Sequence, residues 1–192
     1  MVTKLNSKTM IFIIPLLIFL PVVLLLFFRL NQPAQVAINT ATNQPLPAFE
    51  LANLENDNIT MSNKDLPNET FLLNFWGSWC IACSREHPFL MSLKDEGIKI
   101  VGVNYKDAPD LAKQYLQDEG NPYLFNMKDE DGDLGIDLGL TGAPETFVVD
   151  DKGIIKQHIA GEITSKKWTT SIEPCLTALQ QSDENQIEQV CQ

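Results

Sequence analysis

Two cysteines three positions apart, Cys80 and Cys83, follow an apolar run from Phe71 to Trp76 and stand where a helix-like stretch begins. A strand that delivers a cysteine pair to the start of a helix is the layout for reversible dithiol chemistry. The helix N-terminus presents unpaired N–H groups and a partial positive charge, which favours Cys80 as a thiolate and lowers its pKa. Cys80 is then the attacking sulfur of a thiol–disulfide exchange. Cys83, one helical turn deeper, resolves the mixed disulfide and leaves the two cysteines joined to each other.

Three other uses of a cysteine pair fit less well. Zinc wants four ligands, and Cys80, Cys83 and His87 lack a paired half-site: Cys175 and Cys191 are 16 apart and His158 stands alone. Covalent haem attachment needs a histidine directly after the second cysteine, where this chain has Ser84. A purely structural bridge across so short a loop stabilises little. The acidic stretch from Asp129 to Gly135 resembles a calcium loop only superficially, because its glycine is misplaced and Leu140 occupies the position of the closing glutamate. No metal and no organic cofactor is expected.

The elements that must carry the pair can be read from periodicity and turn signals. Phe49, Leu51 and Leu54, a polar turn, then Ile59 and Met61 predict a hairpin of short strands, and Phe71 to Trp76 a central strand. A helix is predicted from about Cys80 to Glu96, stopped by Gly97 and kinked at Pro88. Ile98 to Tyr105 reads as the next strand, and Asp107 with Pro109 as the cap and first turn of a helix to Glu119. A short strand from Tyr123 to Met127 leads into an acidic loop or helical turn over 129–137. Thr146 to Val149 and Ile154 to Ile159 flank a hairpin turn at Asp150-Asp151-Lys152-Gly153, and a helix from about Ser165 to Gln180 closes the order. Strand, helix, strand, helix, hairpin and helix imply an α/β domain with a mixed central sheet flanked by helices, the thioredoxin-like plan with an extra N-terminal hairpin.

Met10 to Phe28 is an unbroken run of 19 apolar residues, counting Pro15 and Pro21, preceded by Lys4 and Lys8. It is long enough to span a bilayer and exceeds the apolar core of a cleaved signal. The reading is a retained signal anchor forming an N-terminal transmembrane helix. Residues 1–9 are cytoplasmic, 10–28 span, 29–45 form a periplasmic linker, 46–181 the thioredoxin-like domain and 182–192 a C-terminal tail. All 25 acidic residues lie after Arg29, against 11 of the 14 basic ones, every one except Lys4, Lys8 and Arg29. So acidic a surface argues against nucleic acid and against docking on anionic lipid headgroups.

Five blocks, in order, carry a family resemblance: Trp76-Gly77-Ser78-Trp79-Cys80-Ile81-Ala82-Cys83, Glu86-His87-Pro88, Gly102-Val103-Asn104-Tyr105-Lys106-Asp107, Gly120-Asn121-Pro122-Tyr123 and Gly142-Ala143-Pro144-Glu145-Thr146-Phe147. Together they resemble the DsbE (CcmG) family, membrane-anchored, thioredoxin-like thiol:disulfide interchange proteins of bacterial cytochrome c biogenesis, over roughly Pro47 to Trp168. The resemblance implies a redox-active Cys80–Cys83 disulfide and a single-pass protein of the cell inner membrane whose catalytic domain is periplasmic. Its implied target is the Cys-x-x-Cys of apocytochrome c, directly or through a dithiol protein of the maturation complex, with electrons from a transmembrane thiol reductant of the DsbD kind. It also implies that Pro144 is a cis-proline beside the dithiol, presenting the backbone of Ala143 to an extended substrate strand. Two other functions compete: an anchored reductase of a different exported substrate, and an apocytochrome or haem-handling chaperone in which the thiols are secondary.

One departure from ordinary thioredoxins bears on mechanism. Where those proteins bury an acid six residues before the first cysteine, this chain has Asn74, which cannot titrate. Glu86, three residues after Cys83 on the same helical face, is the candidate for proton transfer, against the alternative of an exposed glutamate near Arg85 or Lys94. Trp79 is expected to shield Cys80 and meet partners, Trp76 to sit in the core, and Glu145 either to add acidity to the groove or to face solvent. In an oxidising compartment Cys175 and Cys191 are expected to form a structural disulfide, with free or intermolecular thiols as the alternative.

Overall fold

The computed structural model describes residue 17, residues 19–24 and residues 41–191. The expected cytoplasmic segment, most of the expected membrane span and the linker up to residue 40 lie outside the described residues. Among the described residues no helix is long and apolar enough to cross a membrane. Leu17 and residues 19–24 are helical.

Strands β1 (Glu50–Ala52) and β2 (Thr60–Ser62) form the expected antiparallel hairpin as a small separate sheet. The main sheet has five strands: β3 (Phe71–Trp76), β4 (Ile100–Tyr105), β5 (Asn126–Asp129), β6 (Glu145–Val149) and β7 (Ile155–Ala160), in the spatial order β5-β4-β3-β6-β7. β3 runs parallel to β4 and antiparallel to β6, so it lies at the centre where the parallel and antiparallel halves meet. Every residue of β3 is buried, because both faces are covered. Alternation then sorts them: Phe71, Leu73 and Phe75 enter one core, with Phe147, Val101 and Met127. Leu72 and Trp76 enter the other, with Leu90, Leu93 and Ile100. Asn74 is on this second face, and that parity sets up the active-site chemistry.

Helix α1 (Ile81–Asp95) follows β3 after four residues, Gly77 to the N-cap Cys80, and continues through the exposed Pro88. Helix α2 (Pro109–Glu119) ends at Gly120, where a φ of 89° requires glycine. The acidic stretch is the short helix α3 (Asp133–Asp137), anchored by the buried Asp129 carboxylate, which accepts from the N–H groups of Leu134 (3.3 Å) and Gly135 (3.0 Å). The strand expected from Tyr123 begins three residues later, because Pro122-Tyr123 first turns the chain to put the Tyr123 ring under Trp76.

The C-terminal helix expected from about Ser165 to Gln180 runs as unbroken helical backbone made of α4 (Ser165–Lys167), a π-helical turn (Trp168–Ile172) and α5 (Glu173–Gln181). Pro174 opens α5 and has no N–H to give to the preceding turn, so the regular ladder is interrupted there. The expected tail is largely helical as well. Asp183 caps α6 (Glu184–Val190) by accepting from Asn185 and Gln186 N–H, and the Cys175–Cys191 disulfide holds α6 against α5. At the other end the domain begins before residue 46. Ala41 is buried, Asn43 N–H donates to the Ile155 carbonyl (2.7 Å), and Ile155 N–H donates to that of Gln44 (2.9 Å). Residues 41–45 therefore line the edge of β7 and are not linker.

Candidate active site

The loop Gly77-Ser78-Trp79 carries the chain from β3 to α1 and places Cys80 at the N-cap position, with φ −92° and ψ 106°. Its sulfur accepts from the Cys83 N–H at 3.1 Å, one of the orphan donors of the first helical turn. That donor and the helix dipole both favour negative charge on Cys80 Sγ. Cys80 and Cys83 are joined in a disulfide. Each residue is only 4% exposed, so accessibility does not rank the two sulfurs, whereas the capping position singles out Cys80.

Around the buried pair the surface is apolar. Ile81 is 76% exposed and Trp79 53% exposed, its indole N–H reaching the Tyr105 carbonyl at 3.3 Å. The ring of Trp79 lies over Gly77, where an added Cβ would come within 2.6 Å of Nε1. Trp79 is thus at the rim, and Trp76 is in the core, its Nε1 donating to Asn126 Oδ1 at 3.0 Å. The Ala143–Pro144 peptide is cis, and the Ala143 carbonyl oxygen lies 3.3 Å from Cys80 Sγ. A backbone edge and the reactive sulfur therefore share one surface, an arrangement that suits an extended peptide chain.

Beneath the dithiol is a closed polar network. Glu86 is buried, and the alternative of an exposed helix glutamate does not hold: the surface ion pair is made by its neighbour Arg85, with Glu162 at 2.8 Å. Glu86 Oε1 accepts from Asn74 Nδ2 (3.0 Å) and Oε2 from the Ile163 N–H (2.7 Å). Burial outweighs those two hydrogen bonds and pushes its pKa up to about 7. Asn74 also donates to Thr146 Oγ1 (2.9 Å) and accepts from the Tyr123 hydroxyl (2.8 Å). Burial drives the Tyr123 hydroxyl well above its ordinary range, so it serves as a permanent donor. A group able to exchange a proton near neutrality thus lies on the Cys83 face of α1, one turn further along the helix.

Glu145 has neither of the roles foreseen for it. It is buried and turned away from solvent; Oε1 accepts from Thr141 N–H (3.0 Å), the Thr141 hydroxyl and Gly142 N–H (3.1 Å), while Oε2 pairs with His158 Nε2 at 2.6 Å. Burial alone would raise its pKa, but the bonds from His158 and Thr141 prevail and hold it below the usual carboxylate range. Glu145 braces the cis-proline loop from inside. His158, stacked on Phe147 with ring centroids 4.1 Å apart, was not singled out from sequence as part of the site. Only its alternation with Gln157 and Ile159 on β7 hinted at a residue paired across to β6. Thr146 and Tyr123 were noted within motifs without a role, since their meeting at Asn74 spans 72 and 49 residues of chain.

His87, considered with the cysteines as a metal ligand, contacts the Gly120 carbonyl through Nε2 at 3.1 Å and lies edge-on to Tyr115. Among the described residues no group of three or more His, Cys, Asp or Glu side chains is placed to hold a metal ion.

Comparison with known proteins agrees with this chemistry. The Redoxin family model matches residues 41–172. The chain is 40% identical over 173 residues to the thiol:disulfide interchange protein DsbE of Haemophilus influenzae, covering 84% of this chain and 92% of that one. It is 39% identical over 167 residues to DsbE of Pseudomonas aeruginosa, covering 87% and 93%. Among solved structures, a secreted thiol-disulfide isomerase from Corynebacterium glutamicum superposes with a TM-score of 0.59 at 27% identity, over 72% of this chain and 86% of the other.

Proposed function

The chain belongs to the DsbE family of thiol:disulfide interchange proteins and is a thiol-disulfide oxidoreductase, and on that premise we propose that it reduces the disulfide of apocytochrome c, or of a maturation-complex dithiol protein, so that haem can be attached. The observation that supports exchange at this dithiol is Glu86, buried on the Cys83 face of α1 with a pKa of about 7, while the reductive direction follows from the family resemblance. The substrate assignment follows from the family resemblance in the motif blocks.

The Cys80 thiolate attacks one sulfur of the substrate disulfide; that S–S bond breaks, a Cys80–substrate disulfide forms, and the departing substrate thiolate takes a proton from water. The Cys83 thiol then passes its proton to the Glu86 carboxylate and attacks Cys80 Sγ. The mixed disulfide breaks, the second substrate thiolate leaves, and Cys80 and Cys83 are oxidised to the disulfide. Two electrons have moved from protein to substrate. While the mixed disulfide persists, the Ala143 backbone offers the substrate strand an edge beside the sulfur. An external dithiol reductant must then restore Cys80 and Cys83, and the proposed source is a transmembrane, DsbD-like protein acting at the outer face of the inner membrane. The apolar run 10–28 is the proposed anchor, leaving the domain in the periplasm.

The test is to express a Cys83→Ser variant in the native host, where the Cys80 mixed disulfide cannot be resolved, and to identify the trapped partners by mass spectrometry. Recovery of apocytochrome c or a maturation dithiol protein is expected. A broad set of unrelated exported proteins would overturn the specific substrate and leave a general thiol exchanger.

A further inference from the structure

Asp107 reads in the sequence as the cap of α2, but the structure gives the N-cap position to Ala108, with no side-chain cap, and turns Asp107 toward the dithiol loop. Its carboxylate gathers four donors. Oδ2 accepts from Ser78 N–H (2.6 Å) and Asn104 Nδ2 (2.9 Å); Oδ1 accepts from the Ser78 hydroxyl (2.8 Å) and from Ala108 N–H (2.8 Å). Two residues earlier, the Tyr105 carbonyl accepts the Trp79 indole N–H. Between these two contacts Lys106 has a φ of 47°, a backbone region that side-chain-bearing residues seldom occupy. The end of β4 is thus bent, at some cost in backbone strain, into a shape that grips Ser78 and Trp79, the two residues leading into Cys80.

We propose that Asp107 is a positioning residue for the attacking sulfur. Ser78 is two residues before Cys80, in a single turn closed by the Cys80 N–H donating to the Gly77 carbonyl (3.1 Å); the carboxylate binds both its N–H and its hydroxyl, so the chain enters α1 in one conformation. That conformation sets the N-cap dihedrals of Cys80 and keeps the Cys83 N–H on its sulfur. Without the clamp the loop is free to move, the N–H to sulfur contact is populated less often, and the thiolate loses part of its stabilisation. The inference rests on Cys80 being the attacking sulfur, as in the function proposed above.

The experiment uses the full-length protein, reduced at the dithiol and alkylated with iodoacetamide across a pH series, with adducts at Cys80 and Cys83 quantified by peptide mass spectrometry. Asp107→Ala and Asp107→Asn are expected to slow Cys80 alkylation at neutral pH about tenfold and to raise its pH midpoint, since each loses charge-assisted hydrogen bonds that position the sulfur. Asparagine does not restore the clamp, because its amide nitrogen would face donors. Ser78→Ala keeps the charge, deletes one contact and is expected to slow alkylation about two- to threefold in the same direction, with the Ser78→Ala, Asp107→Ala double variant no slower than Asp107→Ala.

If Asp107 acted only through its charge, both Asp107 variants would lower the midpoint and react faster while Ser78→Ala stayed unchanged, and that result overturns the clamp. A shift in unfolding with an unaltered Cys80 profile also overturns it. Should Asp107→Ala fail to fold, the Ser78→Ala profile decides. Faster alkylation of Cys83 than of Cys80 in the unsubstituted protein would overturn the nucleophile assignment, and it shows without any variant.

Discussion

Asn74 Nδ2 donates to Glu86 Oε1 at 3.0 Å, from the centre of the middle strand to the buried face of the dithiol helix. An aspartate at position 74 could not make this bond while ionised, because a carboxylate only accepts. With asparagine there, the one titratable acid of this network is moved onto the helix that carries the cysteines. Burial disfavours the ionised form of Glu86 and raises its pKa to about 7, while the Asn74 amide, a donor to the carboxylate, acts in the opposite sense.

The position of Glu86 makes folding stability depend on pH. Its folded pKa of about 7 lies above the ordinary value of 4.5, so the native state binds the extra proton. This contribution is fully present below pH 4.5 and is lost as pH rises to about 7, a change of about 3 kcal/mol for that size of shift. Urea unfolding from pH 4.5 to 8 is expected to show the decline, and Glu86→Gln to flatten it. Parallel profiles for the two proteins would contradict the buried acid.

Glu86 should also govern the second chemical step. With a single-turnover disulfide peptide, the decay of the Cys80 mixed disulfide is expected to accelerate as pH rises through about 7, where the Glu86 carboxylate becomes available. Glu86→Gln should lose that inflection and decay at least about tenfold more slowly at neutral pH, while the first attack by Cys80 is little changed. Equal lifetimes in variant and parent would remove Glu86 from the mechanism.

Glu145 gives the opposite pH signature. Its folded pKa is depressed, so its stabilisation is present above the unfolded value and is lost as pH falls through the folded one, on the acid side of the Glu86 window. Glu145→Ala removes the acceptor of the Thr141 and Gly142 N–H groups and the carboxylate paired with His158. It is expected to cost about 2 to 4 kcal/mol in chemical denaturation and to weaken substrate binding, seen as a raised KM, because the Ala143 edge is no longer braced. An unchanged KM would confine Glu145 to folding.

The Cys175–Cys191 bridge closes a loop of 16 residues far from the dithiol in sequence. Cys175→Ser with Cys191→Ser is expected to destabilise the protein by about 3 kcal/mol and to increase amide exchange in α5 and α6. Disulfide reduction by Cys80 and Cys83 should continue at the parental rate. Loss of that activity in a folded variant would mean that the second bridge has a redox role.

Local chemistry made much of the protein legible in its sequence. The apolar run Phe71 to Trp76, the cysteine spacing and the stops at Gly97 and Gly120 all signal through neighbouring residues, and each element appears where those signals place it. Asp107 was misread for the same reason in reverse. A carboxylate two residues before a helical proline looks like a cap until Ser78, 29 residues away, competes for it. Pro174 and Asp183 acted locally, as the proline beside the π-turn and as a cap, but the fold of 182–190 depends on docking through Cys191.

Local residue patterns specify the reactive pair, the parity that puts Asn74 on the same side as Leu72 and Trp76, and the order of elements that makes a mixed sheet. Tertiary structure alone decided what surrounds the pair. Whether Glu86 is buried, whether Glu145 faces the groove, and which sulfur the Ala143 carbonyl approaches all depend on contacts between segments 12 to 77 residues apart. Burial and hydrogen-bond partners set the protonation of a carboxylate, and both are properties of the packed interior that no local run of residues specifies.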